Sequence, residues 1–152
     1  KSPYGCLGDE SNPFSIYKLP NKTLALTKTI ETYCAENSRP GQTSGSEVTA
    51  TTTPAAPLPD GIGYEYTWSV TEDGNSVSPG TADDSNTATS VYSMTTTTAG
   101  TYVFNASVKY IKLTGNTGTL LPGTNNCEVQ ADATQTVVVT PKPSKPAISL
   151  AF

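Results

Sequence analysis

Two stretches of this chain alternate between apolar and polar residues with the two-residue period of a β-strand. They are Gly63–Val70 and Thr101–Ile111. Successive side chains of a strand point to opposite faces, so this alternation predicts two strands, each with one buried face and one exposed face. The predicted buried positions are Tyr64, Tyr66, Trp68 and Val70 in the first strand and Tyr102, Phe104, Ala106, Val108 and Tyr110 in the second.

Further strands follow from weaker patterns and from abundant threonine, whose β-branched side chain suits a half-exposed strand. We expect strands over Glu47–Thr53 and Ala88–Met94, and a long, bulged strand over Cys127–Thr140. Turn-rich segments separate these strands, and 12 glycines and 12 prolines supply the turns. Short strands at this spacing, without long helical periodicity, predict an all-β, two-sheet antiparallel β-sandwich.

Composition narrows the classes of function. The 152 residues suffice for one domain, only 14% of them are charged, and the net charge is −4. The nine lysines and arginines are scattered rather than clustered, which disfavours a nucleic-acid partner. Histidine is absent, so a Ser-His-Asp or Cys-His catalytic site cannot be built, and we expect no enzyme.

The sequence also bears on location. No run approaches about 20 apolar residues, so we expect no direct membrane insertion. The opening residues KSPYGCLGDE lack the apolar stretch of a signal peptide, and we expect the chain to be a processed product or an excised piece. Many threonines, few lysines and some cysteines favour an extracellular protein.

The strand that carries the single tryptophan precedes a strand entered through TTAGTYVF. In immunoglobulin-like sandwiches a buried Trp lies on strand C, and a tyrosine corner opens strand F. Trp68 and Tyr102 fit these roles, and Phe104 stands where antibody domains carry the second cysteine of the inter-sheet disulfide. We therefore predict an immunoglobulin-like β-sandwich with Trp68, Tyr102 and Phe104 in its core.

Two proline-containing segments resemble each other. LPNKTLALTKT matches KPSKPAISLAF, with Pro20 against Pro143 and Lys22 against Lys145. The simplest interpretation is one repeat of a tandem array with a long period. Residues 1–22 would then be the last strand of a preceding repeat and a proline hinge. Residues 23–143 would be the immunoglobulin-like domain, and residues 144–152 a hinge and the first strand of the next repeat.

Between Ile30 and Ile148 the chain resembles the Ig-like or PKD-like repeats of large Bacteroidota surface proteins, including gliding-motility adhesins exported by type IX secretion. The motifs that carry the resemblance are a Cys before strand B, the Trp of strand C, AGTY on strand F, a Cys opening strand G, and P-x-P-x-x-P. The insert AENSRPGQTSGS before strand B and a longer loop after strand F depart from that pattern. The resemblance implies an adhesive or spacer role on the bacterial cell surface.

The chain has three cysteines. The resemblance implies a disulfide between Cys34 and Cys127, with Cys6 pairing within the preceding repeat. Against it, Cys34 could lie at the far end of strand A, and a bridge needs Cα atoms within about 7 Å. The alternative is Cys6–Cys34, because the segments flanking Pro20 could fold back as a hairpin.

Acidic residues in turns have two interpretations. Asp73, Asp83 and Asp84 are candidate ligands for Ca²⁺, which takes carboxylate and carbonyl oxygens from loops. Alternatively they lie in solvated turns, since EDGN at 72–75 is a hairpin signal. No other cofactor is expected.

The loops predicted to share one end of the sandwich are Pro54–Gly63 and Leu113–Asn126. They hold exposed apolar and polar residues that are candidates for binding at this end. Alternatively, the loops pack on the preceding repeat. The candidate binding residues are Leu58, Asp60, Asn116, Leu120 and Leu121.

The sequence thus predicts a non-catalytic extracellular Ig-like repeat of a cell-surface adhesin or stalk, which gives extension and adhesion or display. Its expected partners are neighbouring repeats of the same protein, with a surface polysaccharide or a protein ligand as further candidates. Two alternatives stay open. One is a glycan-binding module, and the other is a filament subunit that polymerises by strand exchange through its terminal strand.

Overall fold

The computed structural model describes residues 16–35, 45–53, 57–117 and 127–144. Within these ranges the chain forms ten β-strands and no α-helix. The strands are β1 (Thr23–Lys28), β2 (Thr32–Cys34), β3 (Ser46–Thr53), β4 (Ile62–Glu72), β5 (Asn75–Val77), β6 (Gly80–Ala82), β7 (Thr89–Met94), β8 (Gly100–Lys112), β9 (Val129–Gln130) and β10 (Gln135–Thr140).

The strands form two sheets. The four-stranded sheet has the order β1-β3-β7-β6, and the other sheet has the order β2-β10-β8-β4-β5, with β9 also paired to β8. The predicted all-β sandwich of two sheets is therefore confirmed. The pairing departs from a purely antiparallel sandwich at β2 and β10, which run parallel over Thr32–Cys34 and Val138–Thr140.

The alternation that predicted β4 and β8 places their apolar residues against the opposite sheet. Along β8, the residues from Tyr102 to Tyr110 alternate between buried and half-buried positions. Burying side chains of this size is the main favourable term in folding, at about 25 cal/mol per Å² of apolar surface. The largest buried apolar side chains of the described residues are Tyr110, Phe104, Leu24, Met94, Val48, Val108, Val137 and Val139.

The three predicted core aromatics differ in depth. Phe104 is fully buried and Tyr102 is 2% exposed, whereas Trp68 is only half-buried against the core. The Tyr92 ring contacts two other aromatic rings. Its centroid lies 5.6 Å from that of Trp68 and 5.4 Å from that of Phe104. The Tyr102 hydroxyl donates a 3.0 Å hydrogen bond to the Thr98 carbonyl, so it ties the start of β8 to the preceding turn.

The bulge expected in Cys127–Thr140 separates β9 from β10. Ser107 of β8 pairs with Gln130, whereas Phe104 pairs with Gln135. The segment from Gln130 to Gln135 is therefore two residues longer than the part of β8 that it faces. The Ala106 amide at this point donates to a side chain instead, and the Asn105 Oδ1 accepts this bond at 2.8 Å. The bulge is therefore compensated locally, as an unpaired amide in a sheet would be costly.

The chain enters and leaves the sandwich at opposite ends. Residues 16–22 contain no strand. The Tyr110 hydroxyl, near the end of β8, donates a 2.9 Å hydrogen bond to the Pro20 carbonyl. β10 runs to Thr140 at the other end of β8, where Val139 pairs with Gly100. We call the first end the tip and the second end the base. Of the flanking strands predicted for neighbouring repeats, residues 1–15 and 145–152 lie outside the described residues.

Candidate functional site

Three connections and the entering chain converge at the tip. The amide of Thr52 bonds the Ala88 carbonyl at 2.8 Å, and the amide of Tyr64 bonds the Asn86 carbonyl at 3.1 Å. These bonds hold residues 86–88 against the tip ends of β3 and β4. The residues that precede β4 and those that follow β8 are joined as well, because the Leu113 amide donates to the Gly61 carbonyl at 2.8 Å.

The structure brings two of the predicted tip residues together. The Asn116 side-chain amide donates to the Asp60 carbonyl at 3.1 Å. Gly61 permits this approach, because its φ of 74° is in the left-handed region and an added Cβ would lie 2.7 Å from the Asn116 Cβ. Leu58 is half-buried and packs against the core. Leu120 and Leu121 lie outside the described residues.

The most unusual chemistry at the tip was missed by sequence reasoning. Lys22 is only 6% exposed, and its Nζ lies 4.0 Å from the centroid of the Tyr110 ring. The same ammonium donates a hydrogen bond to the Cys127 carbonyl. An aromatic face and a carbonyl are suitable partners for a buried cation. The signal was present, because Lys22 shares the alternation of Leu24 and Leu26.

Burial shifts the protonation of this cluster. Desolvation lowers the pKa of Lys22, although the nearby Cys127 and Glu128 partly oppose that shift. Burial chiefly raises the pKa of Tyr110 to about 12, with the neighbouring Tyr64 adding to the effect. Both shifts disfavour the ionised form of a side chain that has been removed from water. Lys22 therefore anchors the entering chain and does not present a charge to solvent.

The disulfide implied between Cys34 and Cys127 is not formed. Both residues are free thiols. Cys34 pairs with Thr140 at the base, whereas Cys127 precedes Val129, which pairs with Val108. The span of β8 from Gly100 to Val108 lies between the two cysteines and is roughly 27 Å long at about 3.4 Å per residue, whereas a bridge needs Cα atoms within about 7 Å. The alternative partner, Cys6, lies outside the described residues.

The acidic residues proposed as Ca²⁺ ligands are not assembled into one site. Asp73 and Gly74 have φ values of 49° and 80° in the two-residue turn that joins β4 to β5, so the hairpin interpretation of EDGN holds. Asp84 is exposed in the connection between β6 and β7. Among the described residues, no group of three or more Cys, Asp and Glu could hold a metal ion.

Asp83 has a structural partner instead. Its Oδ1 accepts a 2.7 Å bond from the hydroxyl of Ser90, which is fully buried. The same hydroxyl accepts a 3.1 Å bond from the Trp68 Nε1. This chain of bonds joins the two sheets through β4 and β7. It gives the carboxylate of Asp83 a structural role.

Two clefts lie away from the tip. One, of about 410 Å³, is at the base between the ends of β1, β3 and β7, and it is lined by residues such as Ile30, Glu47 and Met94. The other, of about 100 Å³, lies on the outer face of β4 and β8. No aromatic side chain lines either cleft, so neither provides the stacking surface that a glycan would use.

Exposed apolar side chains concentrate just before the domain. Ile16 is 79% exposed and Tyr17 is 58% exposed. Tyr33, another aromatic near this segment in sequence, is 6% exposed and donates a 2.7 Å bond to the Thr96 carbonyl at the base. The exposed apolar surface of the described residues therefore lies at the entry to the tip.

No protein-family model, no curated protein and no solved structure matches this chain. In the described part of the chain, no helix has the length and apolar character needed to cross a membrane.

Proposed function

We propose that this chain is an immunoglobulin-like repeat of a long extracellular array, and that the array serves extension and adhesion or display without catalysis. The observation that carries the proposal is the placement of chain entry at the tip and chain exit at the base. Consecutive copies joined in this way would lie end to end. With about 3.4 Å per residue, the 13 residues of β8 give each copy a length of about 44 Å.

The strand order supports an immunoglobulin-like fold. In that fold one sheet has the order A-B-E-D and the other contains C, F and G. The same order results if β1, β3, β7 and β6 are A, B, E and D, and if β4, β8 and β9–β10 are C, F and G. The hydroxyl of Tyr102 bonds four residues back along the chain, as a tyrosine corner does.

The surroundings of Ile16 support a preceding repeat. If the alignment of the two proline segments is continued towards the N-terminus without a gap, Ile16 corresponds to Val139. Val139 is 2% exposed within β10, whereas Ile16 is 79% exposed. A residue of the same pattern is thus buried in one copy of the segment and uncovered in the other. The last sheet of a neighbouring repeat would cover it.

A surface location is tested on intact cells that produce the protein. Antibodies raised against residues 16–144 should label the outside of the cells, with immunogold particles at varying distances from the membrane. Permeabilisation should add little signal. A label that appears only after permeabilisation would contradict the proposal, whereas a label confined to one fixed distance would contradict the array and leave the surface location standing.

A further inference from the structure

Two thiols mark the opposite ends of the line that strands β9 and β10 form. Cys127 comes two residues before β9 at the tip, and Cys34 pairs with Thr140, the last residue of β10, at the base. Cys127 is exposed, and Cys34 is half-buried. Because the length of β8 separates them, each can form a disulfide only with a cysteine outside this sandwich.

The chain that enters the domain is held beside Cys127. Lys22 donates a hydrogen bond to the Cys127 carbonyl, which fixes one end of the entering segment. Burial chiefly raises the pKa of Tyr110, and both Tyr17 and Cys127 add to that rise, so both lie near the Tyr110 hydroxyl. The segment 17–22 therefore lies over the tip, close to Cys127 at both of its ends.

The chain that leaves the domain is held beside Cys34. The Ala35 amide donates to the Thr140 carbonyl at 2.9 Å, and the Thr140 Oγ1 donates to the Cys34 Sγ at 3.5 Å. In the described part of the chain β2 is the edge strand of its sheet, so Cys34 lies at the rim of the base. The entry and the exit of the domain thus have one thiol each.

The alignment of the two proline segments relates the exit of one copy to the entry of the next. Continued without a gap, it sets Thr140 against Tyr17. The residue that contacts Cys34 in one copy is then also the first residue of the segment 17–22 of the next copy. That segment spans at most about 17 Å, at about 3.4 Å per residue step, and it ends at the lysine that bonds Cys127.

We propose that Cys34 of one copy and Cys127 of the next copy form a disulfide that locks the joint between them. This bridge connects two copies and differs from a bridge within one copy, which the length of β8 excludes. A tether this short holds two thiols at an effective concentration in the millimolar range, far above that of separate molecules. The inference rests on the proposed array, because only an array supplies the following copy.

Formation of the bridge removes two protons and two electrons from the pair of thiols. A small disulfide such as oxidised glutathione accepts the electrons and is reduced to two thiols. One cysteine thiolate first displaces a glutathione thiolate and forms a mixed disulfide. The other cysteine thiolate then attacks the cysteine sulfur of that mixed disulfide, forms the bridge and releases the second glutathione thiolate. The bridge gives adjacent copies a second covalent connection beside the main chain, which restricts bending at the proline hinge.

The first test joins two copies at the length that the alignment gives the joint. Residues 1–144 of the first copy are followed directly by residues 22–152 of the second, and Cys6→Ser removes the thiol of the entering segment. The inner version keeps Cys34 in the first copy and Cys127 in the second, with serine at the other two cysteine positions. The outer version is the matched control, because it keeps Cys127 in the first copy and Cys34 in the second.

Both versions are incubated at micromolar concentration with millimolar oxidised glutathione, and their disulfides are mapped without reduction. We expect the inner version to form its bridge within one molecule. In the outer version the two thiols lie at the far ends of the joined copies and meet only between molecules. Bridging should therefore be roughly a hundredfold faster in the inner version, which is the ratio of millimolar effective to micromolar actual concentration with a margin for geometry. Equal rates in the two versions would overturn the proposal.

The second test uses the native protein and needs no substitution. Protein from the producing cells is alkylated at lysis, captured with antibodies against residues 16–144 and mapped before and after reduction. Cys34 and Cys127 should become alkylated only after reduction, and each should be cross-linked to a peptide from outside this copy. A free thiol at either position, or a bridge between the two within one copy, would contradict the inference. Cell-surface labelling does not depend on the thiols, so failure of the bridge and failure of the proposed function give different results.

Discussion

Ser90→Ala should destabilise the domain, because one buried hydroxyl joins the two sheets. Ser90 is fully buried, accepts from Trp68 at 3.1 Å and donates to Asp83 at 2.7 Å. A neutral bond contributes about 0.5–1.5 kcal/mol and a bond to a charged group about 1.5–3 kcal/mol. Asp83 is exposed and water can replace its lost partner, so the lower values apply. We expect a loss of about 2 kcal/mol in the free energy of unfolding.

The chain offers a direct probe for this measurement. Trp68 is the only tryptophan, so its fluorescence reports both the denaturation curve and the change at the bond itself. The matched control is Ser69→Ala, an exposed serine on the outer face of β4, which should change the free energy by no more than about 0.5 kcal/mol. Equal effects of the two substitutions would refute the role given to Ser90.

Asp83→Asn extends the same reasoning, because it keeps the Oδ1 acceptor and removes the charge. It should therefore cost about 1 kcal/mol, less than Ser90→Ala. A calcium-binding role for Asp83 makes a different prediction, since it requires that millimolar calcium raise the melting temperature of the unsubstituted protein and not of the variant. A calcium-dependent rise of that kind would contradict the structural role.

Further predictions concern the tip and the thiols. Gly61→Ala should cost about 1–3 kcal/mol in urea denaturation, because of its positive φ and its contact with Asn116, and Asn116→Gly should recover part of that cost. Tyr110 has a folded-state pKa raised to about 12, so its stabilising contribution is complete below pH 10 and is lost between pH 10 and 12. Between these pH values the free energy of unfolding should fall by about 2 kcal/mol, as measured by denaturation at each pH. The fall should be smaller in Tyr110→Phe, which lacks the ionising hydroxyl. Non-reducing peptide mapping of the monomeric chain should find no bridge between Cys34 and Cys127, with Cys127 the faster of the two to react with a thiol reagent.

The regular strands could be predicted from the sequence because their physical signal is local. Alternation placed β4 and β8 to within two residues, since a strand with one face in the core must alternate. The short strands β2, β5 and β6 have three residues each and no pattern long enough to detect. Their pairing is decided by neighbours that are distant in sequence, as in the parallel contact of β2 with β10.

Site residues were harder to predict, because partners are set by tertiary contacts. Asp60 and Asn116 were grouped by loop position, and the structure does bring them together. Lys22 was not predicted to be functional, since a lysine beside a proline hinge is ordinarily solvated. Only the position of Tyr110 reveals that this lysine lies over a ring. The cysteines show the reverse error, because the pairing implied by the resemblance was retained against the objection from distance, and β8 does keep Cys34 and Cys127 apart.

The polar bonds that join the two sheets lie in different parts of the sandwich, and this separation has a consequence. The bond through Ser90 ties β4 to β7 across the centre, whereas the bonds of Lys28 to Thr136 and of Gln135 to Leu26 join the two sheets along one side. Ser90 is fully buried, whereas Lys28 and Gln135 are half-buried, so water can more readily replace a partner lost at the side than one lost at the centre. A single substitution at the centre should therefore lower the free energy of unfolding more than a single substitution at the side.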